Sequence, residues 1–307
     1  MTLTTVPPRA VREDAPRRVR ASVRPWLYLS PVLVAIGVWI YAPALFTVAL
    51  SVLDWNLTTP PTGFVGADNF ARLFRSADFW QALAQTALYA LALLPFSTVI
   101  PLGLAIMLWQ RPGRASTVYR SLLFLPVMMA PVAVAVSWKF MLNPLVGLAN
   151  EVVGWFGVPP VNWLGDPSTA LVVIVAVTAA KVTAFNMLLF SAALSGLDRR
   201  TIEAARLEGA TSWEITRFIV APQLAGTTAL LGTLSLVLAG QWVFTNVTVL
   251  TQGGPDGVTD NIYYRIYTLG FEFFETGTAS AAAVVVLLVF AVAGFAWRLV
   301  RRSHVPR

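Results

Sequence analysis

Four polar side chains stand inside long apolar stretches of this chain, Lys181 and Asn186 in one and Gln241 and Asn246 in the next. An ionisable or amide group in hydrocarbon is costly unless it faces other helices or a wet cavity, so each is a functional candidate by default. The members of each pair are five residues apart, roughly 140° around a helix at about 100° per residue. As donors and acceptors they suit a hydroxyl-rich solute, and Lys181 could also offset a phosphate charge. The competing role is interhelical hydrogen bonding, at about 0.6 kcal/mol per bond. The two roles are evenly matched for Lys181, Asn186 and Gln241, and helix bonding has the edge for Asn246. Lys139, shortly before Asn143-Pro144, can snorkel to an interface and reads as structural.

Covalent chemistry is poorly served. Cysteine is absent, which removes thiolate nucleophiles, thiolate metal sites and disulfides. The single histidine, His304, stands at the end of the chain, so no His-based metal site and no Ser-His pair is expected within the apolar stretches. No Gly-x-x-x-x-Gly-Lys run occurs, so a P-loop for ATP is excluded. An ion-gradient-driven secondary transporter remains the alternative. Such carriers commonly bury carboxylates as relays, and none of the 15 acids falls well inside an apolar stretch.

The elements that must position these residues follow from composition. Of 307 residues, 57% are hydrophobic and 12% charged, against about 45–50% apolar, with glycine counted, and about 25% charged in soluble domains. A helix needs about 20 apolar residues to cross the bilayer core. Six stretches meet that length, at 26–53, 82–108, 121–142, 169–194, 224–250 and 277–297. The expected fold is an all-α polytopic membrane protein with six transmembrane helices in a domain spanning 26–299. Pro43, Pro95, Pro101, Pro126 and Pro131 are expected to kink the spans or break their hydrogen-bond ladders. Basic tails at 1–25 and 300–307 flank the domain. The apolar run after the first tail is too long for a signal-peptide core and reads as a retained anchor.

Orientation follows from the basic residues, which stay in the cytoplasm when they lie in short loops. With the amino terminus inside, 17 of the 22 Lys and Arg fall in cytoplasmic segments and only Arg72, Arg75 and Arg265 in outer loops. Both termini are therefore expected in the cytoplasm. Tryptophans near the span ends, among them Trp26, Trp80, Trp109 and Trp138, read as interface anchors.

The inner segment 198–222 is long enough for structure of its own. Thr201 is a candidate N-cap, Glu203, Ala204, Ala205, Arg206, Leu207 and Glu208 are good helix formers, and Gly209 suits the left-handed position that stops a helix. A second short helix is expected from Thr211 or Ser212, with Glu214 in its first turn, ending before Pro222. Trp213, Ile215, Phe218, Ile219 and Val220 give it more apolar surface than a solvated loop requires. That points to docking of another protein, with an amphipathic helix on the lipid surface as the alternative.

Glu203-Ala204-Ala205, followed by Gly209, Ile219 and Pro222, resembles the EAA motif of ATP-binding-cassette importer membrane subunits. The stretch Phe64-Val65-Gly66-Ala67-Asp68-Asn69-Phe70, the segment 138–150 and Leu250-Thr251-Gln252-Gly253-Gly254-Pro255 are similar to segments of the sugar-importer branch, which includes maltose and glycerol-3-phosphate permeases. The likeness covers nearly the whole chain. Glu208 stands where Asp is usual, Ala221 replaces a Leu, and Gly226 occurs where a second Pro is common.

The resemblance implies that 198–222 carries a cytoplasmic coupling helix seated in a cleft of an ATPase subunit, with Glu203, Ala204, Ala205, Arg206, Glu208, Gly209, Ala210, Trp213, Ile219 and Pro222 forming the docking loop. It further implies a non-catalytic permease subunit in a bacterial inner membrane, paired with a second homologous permease. Two ATPase subunits, which bind ATP and Mg²⁺, and an extracytoplasmic solute-binding protein complete the assembly. This chain itself is then expected to bind no cofactor.

Overall fold

The computed structural model describes residues 24–60 and 63–303, so Pro61, Thr62, most of the first expected tail and the second from His304 on lie outside the described residues. The chain divides into two compact units, Met1–Thr47 and Val48–Arg307. In the first, α1 (Arg24–Ile36) passes through a π turn at Gly37–Tyr41 into α2 (Ala42–Leu50), which runs on into the second unit. The wide turn closes with the Ala42 amide donating to the Gly37 carbonyl just before Pro43, whose missing N–H would interrupt a regular helix. Large side chains here, such as Trp39 and Tyr41, are exposed, as a lipid-facing helix requires.

The second unit begins with a two-residue ribbon, β1 (Leu53–Asp54) antiparallel to β2 (Gly63–Phe64). It is held by fully buried Asn69, which donates to the carbonyls of Ser51 (2.9 Å) and Leu53 (3.0 Å). Asn69 sits in the first turn of α3 (Asp68–Arg75), so the motif around Gly66 is a structural clamp for the loop between α2 and α4.

The next crossing is a broken rod. Helix α4 (Ala77–Ser97) meets α5 (Val99–Gln110) at Thr98, which leaves the helical region at φ −125° and ψ −74°. Pro101, four residues after Ser97, cannot donate to the Ser97 carbonyl, and the break also frees that of Phe96. Both are satisfied from elsewhere, since Thr183 donates to Phe96 (2.9 Å) and Asn186 to Ser97 (2.7 Å). In hydrocarbon such rescue by a neighbouring helix is what makes a break tolerable.

The stretch expected as one span at 121–142 is instead two helices, α6 (Arg114–Met128) and α7 (Pro131–Met141), bent by 96°. The residue before a proline is driven to extended backbone, and Ala130 before Pro131 has φ −59° and ψ 129°. With Met129 also extended, the two residues turn the chain through an elbow. Helix α8 (Leu148–Gly154) follows in the next loop, where Asn150 bonds Pro144, Val161 and Trp163 together.

Helix α9 (Pro167–Ser195) is the central post, started by Pro167 and an Asp166 cap on Ser168. The Ser168 hydroxyl (2.7 Å) and amide (2.8 Å) both donate to the Asp166 carboxyl and hold it below its ordinary range. Helix α10 (Arg199–Leu207) and the four-residue α11 (Ser212–Ile215) form the expected loop. A π turn at Thr216–Val220 then leads without interruption into α12 (Ala221–Asn246) and a second π turn at Val247–Thr251. The helix expected to end before Pro222 therefore continues through it. The wide turn immediately before Pro222 absorbs the missing donor and the ring clash that would stop a regular helix.

A folded segment carrying α13 (Ile262–Tyr267) leads to α14 (Thr276–Ser303). It is pinned to α4 by Tyr89 donating to Thr259 (3.1 Å) and by the Ile262 amide donating to Thr86 (2.9 Å). Arg265 bridges Asp260 (2.5 Å) and Asp78 (3.2 Å). Burial pushes the Asp260 carboxyl above its ordinary range, with the Arg265 guanidinium opposing that rise. Among the described residues the six groups α1–α2, α4–α5, α6–α7, α9, the rod through α12, and α14 are long and apolar enough to cross a membrane, if the bent pair counts as one.

Candidate functional site

The elbow between α6 and α7 leaves a cavity of about 620 Å³ against α9 and α12. Val127, Pro131 and Val134 wall it on the elbow side, while Thr178, Lys181 and Phe185 face it from α9. Gln241, Trp242, Phe244 and Asn246 face it from α12. Lys181 is at the middle of the 29-residue α9.

Three of the four sequence candidates thus meet in one place. Lys181 is half-buried and Gln241 exposed, and neither makes a hydrogen bond or ion pair with another described residue. Asn246 combines both roles weighed for it, donating to Thr178 (2.8 Å) while lining the cavity. Asn186 does not join them. Its amide is buried and spent on the Ser97 carbonyl at the α4–α5 break, so it is a helix-bonding residue. Lys139 reaches the Val249 carbonyl (3.0 Å) in the second π turn, where the i+5 pattern leaves acceptors unused.

Sequence reasoning overlooked Trp242 and Thr178. Their signals were present, because Trp242 adjoins Gln241 within an apolar stretch and Thr178 precedes Lys181 by one helical turn, on the same face. An aromatic wall with a few polar groups is the usual chemistry of a small-solute pocket.

The second site is the loop of α10 and α11. Asp198, not the expected Thr201, caps α10, its carboxylate accepting from the Arg200 amide (2.9 Å). An aspartate three residues earlier gives the helix a stronger cap and one more turn. At its end Gly209 has φ +88°, with Ala210 donating to Ala205 (3.0 Å) and Gly209 to Arg206 (3.1 Å). This pair of backward bonds is a Schellman stop, which the left-handed glycine makes possible. Thr211 and Glu214 then cap α11 reciprocally.

Each helix of the loop has a rooted face and a bare one. Ile202 and Ile215 are buried with Leu108, Phe190, Leu194 and Leu224, which joins the loop to α5, α9 and α12. Leu207 is 90% exposed, and Trp213 and Phe218 are each 68% exposed, with the Arg217 guanidinium 5.5 Å from the Phe218 ring centroid. Glu203, Ala204, Arg206 and Glu208 are exposed beside them.

Residues 100–304 match the model of the family described as binding-protein-dependent transport system inner membrane component. The chain belongs to that family. It is a multi-pass membrane protein of the ABC-importer permease class. It is 30% identical to the probable ABC transporter permease protein y4oQ of Sinorhizobium fredii, over 99% of this chain and 98% of that one. The lactose transport system permease protein LacF of Rhizobium radiobacter is 31% identical, over 89% and 92%. In fold the permease resembles a chain of a bacterial ABC transporter involved in the import of the acidic polysaccharide alginate, with TM-score 0.79 and 24% identity over 92% and 97%. A related crystal structure of a bacterial alginate ABC transporter, in complex with an alginate pentasaccharide-bound periplasmic protein, matches at TM-score 0.76 and 24% identity over 90% and 96%.

Proposed function

We propose that this permease forms half of the passage of an ATP-driven importer for a sugar or related polar solute, with a second homologous permease supplying the other half. Two ATPase subunits bind ATP and Mg²⁺ on the cytoplasmic side, and an extracytoplasmic binding protein delivers the solute. This chain performs no covalent chemistry and binds no cofactor. Family membership supports the importer class, and the lactose relative supports a sugar as solute. The charge asymmetry of the sequence supports cytoplasmic termini and a cytoplasmic loop 198–222.

The observation that carries the mechanism is the continuity of the helix from Ser212 to Thr251. Trp213 on the docking surface and Gln241 in the cavity lie on one rod, about 42 Å apart along the axis at about 1.5 Å per residue. Closure of the ATPases on ATP would press on Leu207, Trp213 and Phe218. Ile202 and Ile215 lock the loop to α9 and α12, so the push moves the cavity walls instead of dissipating in a hinge. Lys181, Gln241 and Asn246, with the faces of Trp242 and Phe185, then exchange contacts with solute hydroxyls as the passage changes its open side.

The test is solute-stimulated ATP hydrolysis by the assembled importer in proteoliposomes. Glu203→Ala is expected to abolish stimulation by loaded binding protein while leaving membrane insertion intact. Undiminished stimulation would overturn the docking role of the loop.

A further inference from the structure

A second cavity, of about 360 Å³, lies between the docking loop and the ends of the membrane helices. Its walls come from α5 (Trp109, Gln110), α6 (Arg120), α9 (Ser191, Ser195) and α10 (Arg199, Arg206, with Glu203). Three guanidinium groups and one carboxylate therefore share one hollow, with a surplus of two positive charges. None of these arginines is ion-paired with a described residue. The three arginines, all exposed, converge on the hollow from two helices, α6 and α10, and positive charge concentrated in this way attracts anions. Guanidinium forks match phosphate oxygens in pairs, which an isolated lysine does not.

The surroundings say where that anion comes from. Arg120 is one helical turn from Leu123 on α6, and both are exposed, as are Tyr119 and Leu122 beside them. An apolar helix face thus runs away from the cation. The Ser191 and Ser195 hydroxyls, bonded only to carbonyls of their own helix, add polar groups at the inner end. Gln110 is spent on Thr216 (2.8 Å) and ties α5 to the rod above the loop, so the hollow has a fixed wall. Basic pockets between membrane helices on the cytoplasmic side are suited to anionic headgroups.

We propose that this cavity binds a phosphate group, supplied by the headgroup of an anionic phospholipid of the inner leaflet, with its acyl chains along α6. The cytoplasmic placement rests on the importer reading given above. The bound phosphate ties Arg120 of α6 to Arg199 and Arg206 of α10, and so stiffens the docking loop from its membrane side.

The assembled importer is placed in nanodiscs of phosphatidylcholine alone or with phosphatidylglycerol, then released and weighed intact by native mass spectrometry. The wild-type complex is expected to retain phosphatidylglycerol at least several-fold more than the complex carrying Arg120→Gln. Arg120→Lys, which keeps the charge, should retain an intermediate amount, and Arg199→Gln should lose it as Arg120→Gln does. Inorganic phosphate added to phosphatidylcholine discs distinguishes the sources. Protection of the cavity by phosphate alone, read as reduced hydrogen exchange in α10 of the wild type but not of Arg120→Gln, would support the phosphate site with a soluble occupant. Equal lipid retention by wild type and both Gln variants, with no response of α10 to phosphate, would overturn the proposal. Failure of the importer reading is separate, since it would show as absent solute-stimulated hydrolysis in every lipid while lipid retention stayed measurable.

Discussion

Two polar residues on one membrane helix illustrate how differently such a side chain can act. Asn186 and Lys181 are five residues apart on α9, yet one is buried against a broken helix and the other faces a cavity. Asn186→Ala leaves the Ser97 carbonyl without its partner, at a cost of about 1–3 kcal/mol. The expected result is a lower melting temperature of the detergent-purified complex with ATPase stimulation retained in the surviving fraction. Lys181→Met should do the reverse, lowering solute uptake severely while changing the melting temperature little. Spacing and residue type made both legible as candidates. They could not separate the two, because the distinction depends on where α4 breaks, and that is set by Pro101 on a different helix, 85 positions earlier than Asn186.

At the scale of elements, proline decides most of the geometry. Pro131 and the extended Ala130 before it create the elbow, and the elbow supplies the outer wall of the cavity. The breaking role of Pro131 was readable, but a bend of 96° was not, since apolar length alone cannot tell one tilted span from two halves. Pro222 shows the opposite failure. It reads as a stop, and the π turn before it turns it into a point of continuity. The loop's glycine stop was legible in full, because only a left-handed residue closes a Schellman turn. Gly209→Ala places a Cβ at φ +88° and is expected to cost about 1–2 kcal/mol locally. Its expected effect is partial uncoupling, read as a reduced ratio of solute-stimulated to basal ATP hydrolysis, without loss of the folded complex. Lys139→Met removes the donor to Val249 in the second π turn and should raise hydrogen exchange at Val247–Thr251.

For the molecule as a whole, the sequence without cysteine is an experimental gift, since any introduced cysteine is unique within this chain. The charge distribution fixes an expected orientation that α-helical geometry alone does not. Leu207 at the end of α10 and Leu145 in the loop after α7 are both 90% exposed and fall on opposite sides of the expected topology. In intact cells, Leu145→Cys should react with an impermeant maleimide and Leu207→Cys only after permeabilisation. Reversed labelling would invert the topology and remove the basis for cytoplasmic docking.

The central claim, that the bare face of α10 and α11 receives an ATPase subunit and drives the cavity helices, is tested most directly by crosslinking in the assembled importer. Leu207→Cys and Trp213→Cys should each crosslink to the ATPase subunit, and the crosslink should lower solute-stimulated ATP hydrolysis. Leu145→Cys should give no such product. Absence of crosslinks from both loop positions in a complex that still transports solute would contradict the account.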